Sequence, residues 1–297
     1  MIKYIDRDSL DDKKYDACIE ESHQSLLYAY SWYLDTAVEN WGVFILNDYE
    51  AVMPVPFRQK YLIKYVYPPL WILQLGIFSR IKKIHEDDFI CELKNKFNYV
   101  ESRMNYGNSV ANQPLKYFQK LDLNKNHTSV RELYQKDRRK DLNKAQKNEL
   151  TAKWTNNEEV LIELFKNNVG KRIPTIKERD YLSLKALIKL SIKKDVGELL
   201  NVYDKDQLVA SAFFLKHKGE VTILCSSTDF SNRKNGANTF LIDKAIEKYC
   251  KEFTTFNFGG SSMSSVAKYF FSFGATQVEY PFLKMNNLPF LLRFLKS

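Results

Sequence analysis

The last hundred residues set the tightest limit on the fold. Glu198 to Tyr203, Leu208 to Lys216 and Val221 to Ser226 read as strands, joined by turns at Asp204-Lys205-Asp206 and His217-Lys218-Gly219. After a loop come a helix (Ala237 to Cys250), a strand (Thr254 to Phe258), a helix (Ser264 to Phe273) and a last strand (Thr276 to Leu283). Three consecutive antiparallel-type strands followed by helix, strand, helix, strand cannot build a doubly wound parallel sheet. The order predicts a mixed α/β (α+β) fold, with a mostly antiparallel central sheet flanked by helices.

The amino half follows a similar order, which is compatible with a degenerate tandem of one fold. Residues 9–40 have helical spacing, with Leu26, Tyr30, Tyr33, Leu34 and Ala37 recurring at three and four residues. Trp41 to Leu46, a turn at Asn47-Asp48-Tyr49-Glu50, and Ala51 to Phe57 read as a hairpin. Tyr61 to Tyr67 and Trp71 to Phe78 are further short strand candidates, separated by Pro68-Pro69. Ile84 to Phe97 reads as a charged helix, and Asn98 to Tyr106 and Tyr117 to Leu123 as extended. The polar stretch Asn124-Lys125-Asn126-His127 has turn chemistry and no apolar anchor, so the expected lobes are 1–126 and 127–297. Two capping-box patterns, Ser129 to Glu132 and Thr155 to Glu158, predict helix starts at Val130 and near Glu158, and a third helix covers Lys177 to Lys194.

Composition excludes several classes. With 297 residues, 44% hydrophobic and 27% charged, the chain is neither disordered nor fibrous and has enough apolar residues for a core without staples. The four cysteines and four histidines are scattered, with no metal-ligand spacing, so no metal site is expected. The start lacks an apolar leader, and no uncharged run is long enough to span a membrane. A soluble, reduced, cytoplasmic protein is expected. The net charge of +9 is unevenly spread: residues 1–50 hold 4 Lys/Arg against 11 Asp/Glu, and residues 131–194 hold 17 against 9. The basic middle is either a polyanion-binding face or the complement of an acidic amino end.

The segment from Ser227 to Thr239 carries the most chemistry. It follows a strand and opens a helix, whose unpaired amino-terminal amides are able to bind a phosphate. Gly236 allows close approach there, and Arg233 and Lys234 add charge. Strand, basic-x-x-Gly loop, helix, strand, then a helix ending Phe-Gly resembles the acetyl-CoA-binding half of GNAT-superfamily acyltransferases. Their loop is Arg/Gln-x-x-Gly-x-Gly/Ala; Arg233, Gly236 and Asn238 fall on its three positions, with Asn238 in place of the small residue. Arg139 to Lys147 is similar to an Arg-x-x-Ile/Leu-x-Lys-Ala-x-Lys pattern of FemABX-like enzymes, tandem-GNAT aminoacyltransferases that build peptidoglycan cross-bridges from aminoacyl-tRNA. Phe256 to Ser261 and Tyr269 to Gly274 are similar to that group's Asp-Phe-Gly-Gly and Phe-Lys-x-x-Phe-Gly ending, with Asn257 for the Asp and Phe270 for the Lys. Pro54-Val55-Pro56 and Pro68 to Gly76 are similar to its first lobe.

The resemblance implies tandem GNAT-like lobes and an acyl transfer to an amine held between them. It implies donor contacts from Arg233, Lys234, Asn235, Gly236, Ala237 and Asn238, and an oxyanion donor on the backbone near Leu224 to Ser226. GNAT enzymes often place a tyrosine acid four residues before the helix-ending Gly. That position is Phe270, so Tyr269, one residue off, is the candidate acid, with Asn257 and Ser226 beside it. Arg138, Arg139, Lys144, Trp71 and Ser261 are candidates for substrate contact, because Arg138 lies among apolar neighbours and needs an anionic partner. Acetyl-CoA or another acyl-CoA is the expected donor and a small-molecule or cell-wall-precursor amine the acceptor. Two alternatives stand beside it. One is aminoacyl-tRNA as donor. The other is a non-catalytic scaffold that binds RNA or another acidic partner.

Overall fold

The computed structural model describes residues 1–60, 63–231, 233–260 and 263–289, with Arg233 described through its backbone only. The first elements are β1 (Ile2–Asp6), α1 (Asp12–Glu21), α2 (Ser31–Ala37), β2 (Trp41–Leu46), β3 (Ala51–Lys60), β4 (Ile63–Val66), β5 (Phe78–Ser79), α3 (Glu86–Lys96) and β6 (Tyr99–Arg103). They continue with β7 (Leu115–Asp122), α4 (His127–Glu132), α5 (Lys136–Lys147), β8 (Thr151–Thr155), α6 (Glu158–Asn167) and α7 (Glu178–Lys193). The last are β9 (Gly197–Asp204), β10 (Gln207–His217), β11 (Glu220–Thr228), α8 (Ala237–Tyr249), β12 (Thr255–Asn257), α9 (Ser264–Phe271) and β13 (Thr276–Asn286). The chain divides into two compact units, Met1–Lys116 together with the segment from Glu279, and Tyr117–Val278.

In the amino-terminal unit the sheet runs β1-β2-β3-β4-β6-β13, antiparallel except where β4 meets β6 at Val66 and Val100. The β2–β3 hairpin turns through Asn47 and Tyr49, both at positive φ. Phe44, Met53, Val55, Phe89, Leu93, Phe97 and Val100 form its buried core. The helical region 9–40 is broken. Ser22 turns back onto the Ile19 carbonyl, and Asp16 accepts bonds from the Ser31 amide and hydroxyl, so α2 starts afresh. The expected strand from Trp71 reduces to β5 and a bridge between Leu75 and Met104. Its earlier part is a loop, held by the Tyr33 hydroxyl on the Trp71 carbonyl at 2.7 Å. Tyr61 and Leu62 of the strand expected over 61–67 lie outside the described residues.

In the carboxy-terminal unit the sheet runs β7-β12-β11-β10-β9-β8, antiparallel throughout except for β11 and β12. The first helix begins earlier than the capping box predicted. Asn126, not Ser129, is the cap, accepting the Ser129 amide at 2.9 Å. Likewise Asn157 caps α6, accepting from the Glu159 amide. The basic helix also splits into α4 and α5. The Gln135 amide leaves the helical ladder for the Ser272 carbonyl (2.9 Å), and the Arg139 guanidinium takes the Tyr134 and Glu132 carbonyls at the break. Val130, Tyr134, Leu142 and Ala145 stay buried against Leu241, Ala245 and Phe273. Mixed sheets flanked by helices in both units are the architecture expected from the element order.

Candidate active site

The parallel strands β11 and β12 pair over three rows only: Glu220 with Thr255, Val221 with Phe256 and Thr222 with Asn257. β12 ends there, while β11 runs on to Thr228. On its other side β11 pairs Cys225 with Phe213 and Ile223 with Phe214, which leaves Leu224 as an extra residue with no partner on β10. Such a bulge bends its strand and takes one backbone unit out of the ladder. The strands therefore part where the bulge lies, and β11 leads into the loop that starts α8.

That loop is pinned by its own polar groups. The Phe230 amide donates to Asn168 Oδ1 (2.8 Å), and the Ser231 amide and hydroxyl to Asp229 Oδ1. Asn235 Nδ2 reaches Asp204 Oδ2 at 3.3 Å, and its Oδ1 accepts from the Ala237 amide at 3.0 Å. Gly236 caps α8 at φ +85°, where a side chain is strained. A Cβ there would stand 2.1 Å from the Asp141 carbonyl oxygen and 3.3 Å from the Ala145 nitrogen. The glycine thus admits the backbone of α5, a different reason for glycine than room for a phosphate.

At the start of α8 a cavity of about 410 Å³ is lined by Arg138, Asp141, Val209, Thr228, residues 235–239 and Tyr269. One hydrogen-bonded network runs through it. Arg138 Nη2 pairs with Asp141 Oδ2 at 3.0 Å, and Nη1 donates to Thr239 Oγ1 at 2.8 Å. Thr239 Oγ1 lies 3.2 Å from both Asp141 Oδ2 and the Tyr269 hydroxyl, which also accepts from Asn238 Nδ2 at 2.9 Å. The Arg138 guanidinium lies over the Tyr269 ring, 4.4 Å from its centroid. Burial raises the Tyr269 pKa, while the Thr239 bond and the Arg138 charge pull it back. The phenol is protonated at neutral pH and held beside a cation that would stabilise its conjugate base.

The structure gathers Arg138, residues 235–238 and Tyr269 around one cavity and distributes the other candidates elsewhere. Arg138 has its anion in Asp141, one turn along its own helix, and not in an acidic residue of the amino end. Arg139 is spent on the carbonyls at the α4–α5 break, and Lys144 pairs with Asp141 at 3.3 Å on the surface. Asn257 is 8% exposed and fully engaged: Nδ2 donates to Glu220 Oε1 (2.8 Å), and Oδ1 accepts the Gly259 amide (3.0 Å). Ser226 pairs with Ala212 in the ladder, Lys234 is exposed, and Trp71 is buried in the amino-terminal unit. The Arg233 side chain and Ser261 lie outside the described residues. Phe270, at the family's lysine position, stacks on Phe258 with centroids 4.8 Å apart, so that position serves the core. Asp141 and Thr239 were missed. The signal for Asp141 was its place three residues after Arg138, on the same helix face.

A parallel pair that parts near a bulge, followed by a loop-started helix, is the arrangement of a GNAT-type fold. Residues 136–270 match the family model of the acetyltransferase (GNAT) domain. No curated protein matches the chain in sequence. Among solved structures the chain is similar to FemX, at 12% identity and a TM-score of 0.65 over 99% of this chain and 100% of that one. It is similar to a tandem GNAT protein from the clavulanic acid biosynthesis pathway, solved without AcCoA, at 9% identity and 0.54 over 97% and 99%. It is also similar to L-PGS from Bacillus licheniformis, at 13% and 0.54 over 96% and 95%. Residues 136–270 thus carry the match to the GNAT domain, and the chain as a whole has a FemX-like fold. Among the described residues no helix is long and apolar enough to cross a membrane, and no cluster of metal-ligating side chains occurs.

Proposed function

We propose that this chain is an N-acyltransferase that moves an acyl group from acyl-CoA to an amine, with Tyr269 as the acid that protonates the leaving thiolate. The observation that carries the reading is the Tyr269 hydroxyl, fixed by Asn238 and Thr239 at the start of α8 inside the cavity. In the proposed step the amine nitrogen attacks the acyl carbonyl and a tetrahedral oxyanion forms. The bulged backbone around Leu224 to Ser226 supports the oxyanion with an N–H. The carbon–sulfur bond then breaks, and the thiolate takes the Tyr269 proton. Asn257 carries no basic group, so the amine loses its proton to water. Lys234 and the α8 amides of Asn238 and Thr239 are the groups left to meet the donor's phosphates.

A second donor, aminoacyl-tRNA, is favoured by two specific features. The open face of Gly236 is filled by α5, and the Ala237 amide is taken by Asn235, so two positions of the phosphate-binding motif are committed internally. On α5, Lys136, Lys140, Lys144 and Lys147 are exposed beside that helix start. The test is turnover of acetyl-CoA, and separately of charged tRNA, against a panel of small and cell-wall-type amines. Product in either arm that falls about 100-fold in Tyr269→Phe supports the mechanism. Undiminished product in that variant removes Tyr269 from it, and salt-sensitive tRNA binding without product supports a non-catalytic scaffold.

A further inference from the structure

We infer that the amino-terminal unit holds an oxyanion site of its own, built on Arg103 and Lys116 and suited to a phosphate group. Arg103 ends β6 directly opposite Phe282 on β13, and Glu101 opposite Lys284 is the next pair on the same face. Arg103 Nη1 donates to the carbonyls of Pro69 (3.1 Å) and Ile72 (2.8 Å). Those bonds use both Nη1 hydrogens. They leave the Nε–Nη2 edge, the two parallel donors that grip a phosphate or carboxylate. Among the described residues no carboxylate pairs with this guanidinium, although burial lowers its pKa and so disfavours its charge. A charge withdrawn from water with only neutral partners is a standing cost unless an anion arrives.

Lys116 adds a second, independent sign. Its ammonium lies 3.6 Å from the centroid of the Phe282 ring, the residue facing Arg103. Burial, then Arg103 and Lys284, push its pKa down, and Glu101 alone acts the other way. Glu101 is already engaged by Lys284 at 3.5 Å. Three cations thus share one carboxylate, with the phenol of Tyr280 also in the field of Arg103. A role for Arg103 as a plain tie between β6 and the 69–72 loop accounts for Nη1. It accounts for neither the open edge nor the second uncompensated cation. A phosphate carries nearly two charges and three strong acceptor oxygens, and so matches the arginine fork and the ammonium together better than a singly charged carboxylate does.

The site does not depend on the acyl-transfer reading, and its test is a binding measurement. The full chain carrying Asn238→Glu, which bars anions from the start of α8, is titrated calorimetrically with inorganic phosphate, pyrophosphate and acetate at low salt. Saturable phosphate or pyrophosphate binding is expected, at least 10-fold weaker in Arg103→Met and in Lys116→Met, and unchanged in Lys94→Met on the surface of α3. Arg103→Lys should fall between, because it keeps the charge and loses the fork. If Arg103→Met fails to fold, Lys116→Met decides, since among the described residues no backbone carbonyl depends on Lys116. Absence of saturable binding, equal binding in all variants, or acetate bound as tightly as pyrophosphate would overturn the proposal.

Discussion

A phenol is a useful acid only if it keeps its proton at working pH and gives it up next to something that stabilises the anion. Tyr269 meets both conditions through separate neighbours: burial holds the proton, and Arg138 lies across the ring. The alkaline limb of the rate profile should therefore lie above the ordinary phenol range. Arg138→Met should push that limb further up, because a cation that favours the phenolate is gone, while the maximal rate falls. A pH–rate series on both proteins checks it, and an unmoved limb would detach Arg138 from the tyrosine. The same variant removes the more buried of Asp141's two cations and leaves it Lys144 and Thr239, so a loss of about 1–3 kcal/mol in denaturant melts is expected. Gly236 is a stability residue before it is a binding one. Gly236→Ala strains a left-handed backbone and drives a methyl into the Asp141 carbonyl, at roughly 2–5 kcal/mol in thermal or urea unfolding. A near-neutral melt would mean that α5 moves aside freely.

Elements were legible where one period ruled them, and blurred where side chains redirected the backbone. The strands from Glu198 to Ser226 and the helix Lys177 to Lys194 follow from spacing alone, and the start of the latter is held by Asp180, which accepts the Lys177 amide. The α4–α5 break was not legible, because it depends on Ser272 accepting a bond from an amide more than a hundred residues away. The bulge at Leu224 leaves no compositional mark either, since an extra residue in a strand costs no apolar position. For the site, the loop and Tyr269 were visible, but Asp141 and Thr239 acquire meaning only when α5 crosses the start of α8. Another cross-element clamp gives a pH prediction. Burial alone would raise the pKa of Glu198, but Lys248, Tyr249 and Lys216 bind it and hold the net value below the ordinary carboxylate range. A depressed folded pKa contributes stability above the unfolded value, and that stability is lost as pH falls through the folded one. Unfolding free energy should therefore drop on acidification below the usual glutamate range, and Glu198→Gln should flatten that slope; an unchanged slope would assign the acid sensitivity elsewhere.

At the scale of the whole molecule, charge and fold carry different information. The mixed α/β class followed from element order and the tandem arrangement from the family resemblance, and charge contributed to neither. The excess of lysine and arginine over residues 131–194 is divided in the structure between internal partners, such as Arg138 with Asp141, and an exposed lysine stripe on α5. Net charge therefore overstated what is available to a polyanion, and the choice of donor rests on the start of α8. Calorimetric titration with acetyl-CoA and CoA, on the chain and on Asn238→Glu, tests that choice most directly. A carboxylate at this position suits the positive end of α8 and should leave the fold intact, yet it repels a phosphate. Saturable binding that survives moderate salt in the chain and disappears in Asn238→Glu is the predicted result. Binding unchanged by the new carboxylate, or no binding to the chain at all, would contradict the assignment of α8 as the seat of an acyl-CoA donor.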